Sequence, residues 1–305
     1  MEQIQNNRVI TDLYRENAQF PGIALDGSDV YLCWQRFVDR HDSLMASCRR
    51  GDEVVWEREI SDGGEVLHPV ILAHGGAIWY AWSEYARENW RILARCYRDG
   101  QWGEVLTVAS GEALFFPRLF TWQGKLHVIW TEQHKGSAAA VLCPLTEAGP
   151  GAAETVSAVG EAYRAGAAEG GDGNLYVAYD GFDGKQYKLF ARARTAAGWS
   201  KEIVVSQGED WASTPWIAAK PDGAVVGWYD YGYMAVYSVA PPTSPSGTAP
   251  WPRSIPSASR RAWTGIWIST WPPTPPAFRP WPTPAASTTC WCAPAGAASP
   301  GAVRC

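Results

Sequence analysis

The stretch Ile78-Trp-Tyr-Ala-Trp82 recurs in altered form four more times along the chain, and its spacing predicts the fold. Each copy is a short apolar run that ends in a large aromatic residue. The five aromatic residues are Trp34, Trp82, Trp130, Tyr179 and Trp228, at intervals of 48, 48, 49 and 49 residues. A constant period of this size indicates one supersecondary unit that is repeated and stacked.

Residues 65–112 show what one unit contains: four short runs, rich in β-branched and aromatic residues, separated by turn residues. Such runs predict β-strands rather than helices. Gly75-Gly76 and Asp99-Gly100 favour tight hairpins, because these residues tolerate positive φ angles. The second run is apolar on both faces, as expected for a strand covered on both sides. Four antiparallel strands per repeat of this length predict a β-propeller blade.

The predicted fold is therefore an all-β propeller of four-stranded blades over residues 1–240. Five repeats are readable, and six or seven blades are expected in an intact chain. The repeats lie near residues 19–64, 65–112, 113–161, 162–210 and 211–240. Residues 8–13 match the end of a repeat and are expected to complete the last blade, which would close the ring. In the third repeat, residues 144–153 are predicted to form a loose loop.

The tail, residues 241–305, differs sharply in composition from the preceding chain. It holds 15 of the 22 prolines and 6 of the 18 tryptophans, but no Asp, Glu or Lys. Natural disordered tails are rich in Glu, Lys and Gln and poor in Trp. The composition is that of GC-rich coding DNA read in the wrong frame, and our hypothesis is a frameshift near residue 240. A genuine disordered Pro-rich tail is the alternative.

Charge and hydropathy narrow the class of partner. Without the five arginines of the tail, residues 1–240 carry 21 basic and 31 acidic residues, a formal charge of −10, which argues against nucleic acid or an anionic membrane as partner. The chain shows no apolar run long enough to span a membrane and no signal-peptide pattern, so a cytoplasmic location is expected. Its cysteines are scattered without a CxxC motif, and neither a metal nor a cofactor is predicted.

Candidate functional residues lie in the loops after each second strand and in those leading into each first strand, which meet at one end of a propeller. Carboxylates follow the repeated aromatic residue, and cationic residues flank the repeated proline. The catalytic candidates are Glu84, Glu132, Asp230, His68 and His134, and the substrate-binding candidates are Arg118, Arg164, Arg87 and Asp180.

Two interpretations of these residues compete. Convergent carboxylates could perform acid–base chemistry on a sugar or bind its hydroxyls, with Arg118 and Arg164 gripping an anionic group. The recurring carboxylates could instead cap one loop per blade for structural reasons. Recurrence favours the structural role for Glu84, Glu132 and Asp230, because a catalytic residue is needed only once.

The repeated Pro-x-Ile-Ala, Asp-Gly-x-Leu-Tyr-Val-Ala-Trp and Gly-x-Trp elements over residues 8–240 resemble those of the bacterial sialidase-like (BNR-repeat) β-propellers. In place of that family's Ser-x-Asp-x-Gly-x-Thr-Trp box, the turn here reads Arg98-Asp-Gly-Gln-Trp102. The resemblance implies a propeller that binds or processes a carbohydrate at its loop-rich rim, and an enzyme of this kind would be a glycoside hydrolase or a polysaccharide lyase. The alternative is a non-catalytic scaffold for protein partners.

Overall fold

The chain folds into a series of antiparallel sheets, as its periodicity predicts. The computed structural model describes residues 17–61, 63–158, 160–206, 211–230 and 233–239, with residues 230 and 233–239 described through their backbone alone. The expected ring-closing strand at residues 8–13 and the tail at 241–305 lie outside the described residues. Within the described part, no helix is long and apolar enough to cross a membrane.

The first two sheets are blades 1 and 2. Blade 1 contains β1 (Asn17–Asp26), β2 (Asp29–Val38), β3 (His41–Arg50) and β4 (Glu53–Glu59). Blade 2 contains β5 (Glu65–His74), β6 (Ala77–Ala86), β7 (Asn89–Arg98), β8 (Gln101–Trp102) and β9 (Leu106–Gly111). Both β8 and β9 pair with β7, so the fourth strand of this blade is split into two pieces.

Blades 3, 4 and 5 continue the pattern. Blade 3 contains β10 (Ala113–Trp122), β11 (Lys125–His134), β12 (Ser137–Thr146), β13 (Gly149–Pro150) and β14 (Glu154–Thr155). Blade 4 contains β15 (Ala162–Glu169), β16 (Leu175–Phe182), β17 (Tyr187–Thr195), β18 (Gly198–Trp199) and β19 (Ile203–Val204). Blade 5 contains β20 (Ala212–Lys220), β21 (Gly223–Asp230) and β22 (Tyr233–Val239).

The loop predicted at residues 144–153 is only partly correct. β12 runs on to Thr146 and the short β13 covers Gly149–Pro150, while β14 begins just after the predicted loop, at Glu154. Pro144 is accommodated in β12 opposite His127, and its carbonyl accepts a hydrogen bond from the backbone N–H of Gly151 at 2.8 Å. This bond preserves the fold of the blade edge even though the sequence there is rich in Pro, Gly and Ala.

The first strand of each blade lies against the first strand of the next. β1 contacts β5, β5 contacts β10, β10 contacts β15 and β15 contacts β20. Successive innermost strands that touch in this way, each heading an antiparallel meander, define a β-propeller. The described residues therefore form five consecutive blades of a β-propeller.

The repeated aromatic residues fill the space between neighbouring blades. All five are buried. Trp82 packs with Leu44 and Ile60 of blade 1, Trp130 packs with Ile92 of blade 2, and Trp228 packs in a cluster with Tyr176 of blade 4. Large rings suit this position because they fill the wedge between stacked sheets. The inter-blade packing expected for the repeated aromatic residues is confirmed for Trp82, Trp130 and Trp228.

The innermost strand of blade 1 is less covered than those of blades 2 and 3. Ile23 and Leu25 of β1 are 49% and 56% exposed, and Phe37 of β2 is 42% exposed. The corresponding strands β5 and β10 are mostly buried or half-buried. The face of β1 that carries Ile23 and Leu25 is thus open among the described residues, and Phe37 is exposed on the opposite face of the sheet.

Candidate functional site

Every innermost strand contains the same backbone irregularity near its start. The pairing with the second strand shifts register around the repeated proline position, which marks a β-bulge in each blade. The residue before that position has a positive φ in all five blades: 51° at Phe20, 53° at His68, 54° at Phe116, 39° at Arg164 and 54° at Thr214. Positive φ is uncommon for residues other than glycine, and bulges re-aim side chains. We call these five residues the collar.

One side of the collar is aromatic. The rings of Phe20 and His68 lie 4.9 Å apart between centroids, and those of His68 and Phe116 lie 4.2 Å apart. These three residues come from blades 1, 2 and 3, so the rings form a continuous arc across three blades. Burial lowers the pKa of His68 to about 4, and its Nδ1 atom has no hydrogen-bond partner among the described residues. The imidazole is therefore neutral at pH 7.

The other side of the collar is polar and links three blades by hydrogen bonds. The backbone N–H of Arg164 in blade 4 donates to Thr131 Oγ1 of blade 3 at 3.1 Å. The guanidinium of Arg164 forms an ion pair with Asp180 of its own blade. Asp180 Oδ2 also accepts a bond from the backbone N–H of Thr214 in blade 5, at 3.4 Å. Asp180 thus holds the side chain of one collar residue, Arg164, and accepts a hydrogen bond from the backbone of the next, Thr214.

Arg118 brings a second cation to this side. It follows Pro117 in β10 and is half-buried. The side chain of Arg118 lies near Gly166 of blade 4. A Cβ added at Gly166 would lie 4.0 Å from Arg118 Cδ and 3.1 Å from Ile217. Burial lowers the pKa of Arg118, while the charge of Asp180 opposes that effect. Within the part of the chain that the structure describes, its guanidinium has no hydrogen bond or ion pair.

Asp180 is the carboxylate of this cluster, and its side chain is fully buried. Burial raises its pKa, and the ion pair and hydrogen bond with Arg164 oppose the rise. Its Oδ1 atom has no partner among the described residues. The one buried carboxylate is paired with Arg164, while the guanidinium of Arg118 from the adjacent blade has no such partner within the described ranges, which leaves net positive charge in this cluster. Such a cluster can hold an anionic group that also carries hydroxyl donors.

The structure gives Glu84 a different setting from that of Asp180. Its side chain is fully buried, and its two oxygens accept hydrogen bonds from Trp82 Nε1 at 3.0 Å and from Arg91 Nη2. Gly64 packs directly on it, since a Cβ at Gly64 would lie 2.6 Å from Glu84 Cγ. These contacts favour the structural role for Glu84, inside blade 2.

The remaining candidates lie elsewhere in their blades. Glu132 and His134 of β11 line a groove of about 420 Å³ with Ser137 and Thr155 of the same blade. His134 is exposed and lies 3.2 Å from a carboxylate oxygen of Glu112. Arg87 is exposed in the turn between β6 and β7, with a φ of 53°. Asp230 ends β21, paired with Ala212, and its side chain lies outside the described part of the chain.

Of the predicted site residues, the structure brings Arg118, Arg164 and Asp180 together and places His68 in the collar. Sequence reasoning missed Phe20, Phe116 and Thr214 as collar members. A signal for them exists, because all three directly precede the repeated proline, as His68 does. No group of three or more His, Cys, Asp and Glu residues in the described ranges could hold a metal ion.

Comparison with known proteins gives the following likenesses. No protein-family model matches the sequence, and no curated protein matches it significantly. Among solved structures, a GH43 endo-arabinanase from Bacillus licheniformis is 13% identical with a TM-score of 0.46, over 73% of this chain and 94% of that one. A native arabinanase from Bacillus subtilis is 14% identical with a TM-score of 0.45, over 73% and 96%.

A family 117 glycoside hydrolase from Zobellia galactanivorans is 12% identical with a TM-score of 0.44, over 72% of this chain and 83% of that one. The propeller assignment rests on the sheet topology of the chain itself, and the candidate site rests on its own residues.

Proposed function

We propose that this propeller binds a carbohydrate that carries an anionic group, at the collar end of its central channel. The observation that carries the proposal is Arg118, a half-buried guanidinium without a partner among the described residues, beside the Arg164–Asp180 pair. Taking a cation out of water without pairing it costs free energy. A carboxylate on the ligand would supply the missing partner through two parallel hydrogen bonds, the geometry that arginine favours.

A sugar acid fits this cluster better than a bare anion. Asp180 Oδ1 is an acceptor without a partner among the described residues, and it lies in the same cluster as the two guanidinium groups. Asp180 Oδ1 is buried, and a ligand hydroxyl that displaced the side chains covering it would supply the missing donor, which a compact anion such as sulfate lacks. The resemblance to sialidase-like propellers points to the same ligand class, and the sialidase-like assignment is part of this proposal.

Binding is the activity that these residues support most directly. Glycoside hydrolysis ordinarily uses two carboxyl groups on either side of the scissile bond. Asp180 supplies one carboxyl group in the cluster, but it is fully buried and ion-paired with Arg164, so it holds that arginine rather than donating a proton. Asp230, paired with Ala212 at the start of β20, is the sequence candidate for the second.

The test is a glycan array probed with the full chain, followed by titration of the strongest acidic glycan and of its carboxyl-reduced form. We expect the acidic glycan to bind and the reduced form to bind at least about tenfold more weakly, the loss of about 1.4 kcal/mol or more expected for a charge-assisted contact. Arg118→Gln should weaken binding of the acidic glycan in the same way, and Arg40→Gln, in the exposed turn between β2 and β3, is its matched control. Equal affinity for the two forms would contradict the proposal.

A protein scaffold is the second candidate, and the open face of blade 1 favours it. Ile23 and Leu25 expose apolar surface on one face of β1. Contiguous exposed apolar surface is typical of interaction sites. If no glycan on the array binds, the scaffold becomes the better proposal, and Leu25→Lys should then weaken binding of the protein partner.

A further inference from the structure

We propose that the aromatic arc of the collar, formed by Phe20, His68 and Phe116, stacks against the sugar ring of the ligand. The ligand class is then a carboxylated pyranose with an apolar face, rather than a compact anion such as sulfate or acetate. This inference rests on the proposed function, since the charged side of the collar must hold the carboxylate.

The arc is built by the backbone rather than by chance side-chain exposure. In each of the three blades the bulge places one aromatic residue at positive φ immediately before the repeated proline. The rings then meet across blade boundaries, at centroid distances of 4.9 and 4.2 Å. Holding non-glycine residues at positive φ costs free energy that the surrounding structure must supply. Such strain is concentrated at binding sites, and here it recurs at the same position of each innermost strand.

The rings remain accessible. Phe20 is 43% exposed, and His68 and Phe116 are half-buried, although the prolines that follow His68 and Phe116 are buried. Accessible aromatic faces bind the C–H face of a sugar, because the ring buries apolar area while the hydroxyls stay free for hydrogen bonds. A continuous arc of three rings offers more of this surface than any isolated ring.

The arc is uncharged, which separates it from the cationic side of the collar. His68 lies between two phenyl rings, and burial lowers its pKa to about 4, so it carries no charge at pH 7. It therefore neither repels the nearby arginines nor attracts a second anion. Its ring completes the arc, and the role assigned to it is stacking rather than acid–base catalysis.

The two sides of the collar meet in β10. Phe116 closes the arc, and Arg118 begins the cationic cluster two residues later, on the other side of Pro117. The phenyl ring and the guanidinium are thus only two residues apart in the same strand. Sugar rings that carry a carboxylate directly on the ring satisfy both requirements at once, as in a uronic acid.

The test compares trigalacturonic acid with galactotriose and acetate as probes, by titration calorimetry of the full chain. Trigalacturonic acid should bind most tightly. Phe20→Leu and Phe116→Leu should each weaken its binding about three- to tenfold, the range expected for losing one aromatic contact. Phe37→Leu, an exposed phenylalanine outside the arc, is the matched control.

The outcomes separate this inference from the proposed function. If Arg118→Gln weakens binding of trigalacturonic acid while both leucine variants bind like the wild type, the cationic side alone holds the ligand and the stacking role is wrong. If trigalacturonic acid does not bind but another carboxylated glycan does, the uronate assignment is wrong and the proposed function stands. If no carboxylated glycan binds, both are wrong. Phe20 is largely exposed, so its variant tests stacking even if Phe116→Leu fails to fold.

Discussion

Glu84 in blade 2 and Asp180 in blade 4 are both fully buried carboxylates just after the repeated aromatic residue, yet they have different partners. Glu84 lies two residues after Trp82 and accepts a hydrogen bond from that same ring. Asp180 lies one residue after Tyr179, on the opposite face of its strand, and accepts a bond from the backbone of blade 5. A shift of one position along the strand therefore determines whether the carboxylate is held inside its own blade or lies at the collar.

Glu84 and Asp180 also differ in whether the protein supplies a hydrogen-bond partner for each of their oxygens. Glu84 has protein donors for both oxygens, and Gly64 closes over it. Asp180 Oδ1 and His68 Nδ1 lack such partners among the described residues, as the Arg118 guanidinium does. Buried polar groups are normally satisfied, so groups at the collar that lack a protein partner are candidate contacts for a ligand. Substitutions at satisfied and unsatisfied groups should therefore differ in their effects on stability and on binding.

Neutralising the two carboxylates should have unequal effects on stability. Glu84→Gln removes the charge that Arg91 pairs with and should lower the free energy of unfolding by about 3 kcal/mol. Asp180→Asn should lower it by about 1 kcal/mol or less, because burial already raises the pKa of Asp180 and relief of desolvation offsets the lost ion pair. Urea unfolding of both variants at pH 7 measures the difference. An equal or larger loss for Asp180→Asn would remove the distinction.

His68 should make stability depend on pH. Its folded pKa of about 4 lies below the ordinary histidine value of 6.5, so the folded state binds fewer protons than the unfolded state between these values. Stability is then complete above about pH 6.5 and declines as the pH falls toward 4. The wild type should lose roughly 2 kcal/mol more than His68→Phe over this window, allowing for the partial exposure of the ring. Parallel stability curves would show that His68 is not held neutral.

Gly64→Ala should test how closely Glu84 is enclosed. The added methyl would lie 2.6 Å from Glu84 Cγ, and that side chain is fully buried and tied at both oxygens. Such crowding costs about 1 to 2 kcal/mol of stability. Gly111→Ala is the control, because its methyl would lie at an ordinary 3.6 Å from Leu114. If the two alanine variants melt at the same temperature, Glu84 moves more freely than its contacts imply.

The sequence predicted the repeat, the blades and the packing of the aromatic anchors because apolar periodicity and turn residues report directly on strand pairing. It also identified Arg118, Arg164 and Asp180 as separate candidates. It did not predict the bulges, because Phe20, His68 and Phe116 carry no local preference for positive φ. Nor could it distinguish Glu84 from Asp180, since the face that each side chain takes depends on strand register and on the neighbouring blade.

Arg118→Gln should have the smallest effect on stability of all these substitutions. The guanidinium is half-buried without a described partner, so its loss removes a desolvation cost rather than an interaction. We expect the free energy of unfolding, measured in urea at pH 7, to stay within about 0.5 kcal/mol of the wild type or to rise. A loss of about 2 kcal/mol or more would show that Arg118 stabilises the fold.

The most direct test of the central claim is the dissociation constant of the strongest acidic glycan for wild type, Arg118→Gln and the control Arg40→Gln. We expect at least about a tenfold increase for Arg118→Gln, equivalent to about 1.4 kcal/mol or more, and no change beyond about twofold for Arg40→Gln. An unchanged dissociation constant in Arg118→Gln, or the same increase in both variants, would contradict the claim that the unpaired guanidinium of Arg118, beside the collar, binds the ligand.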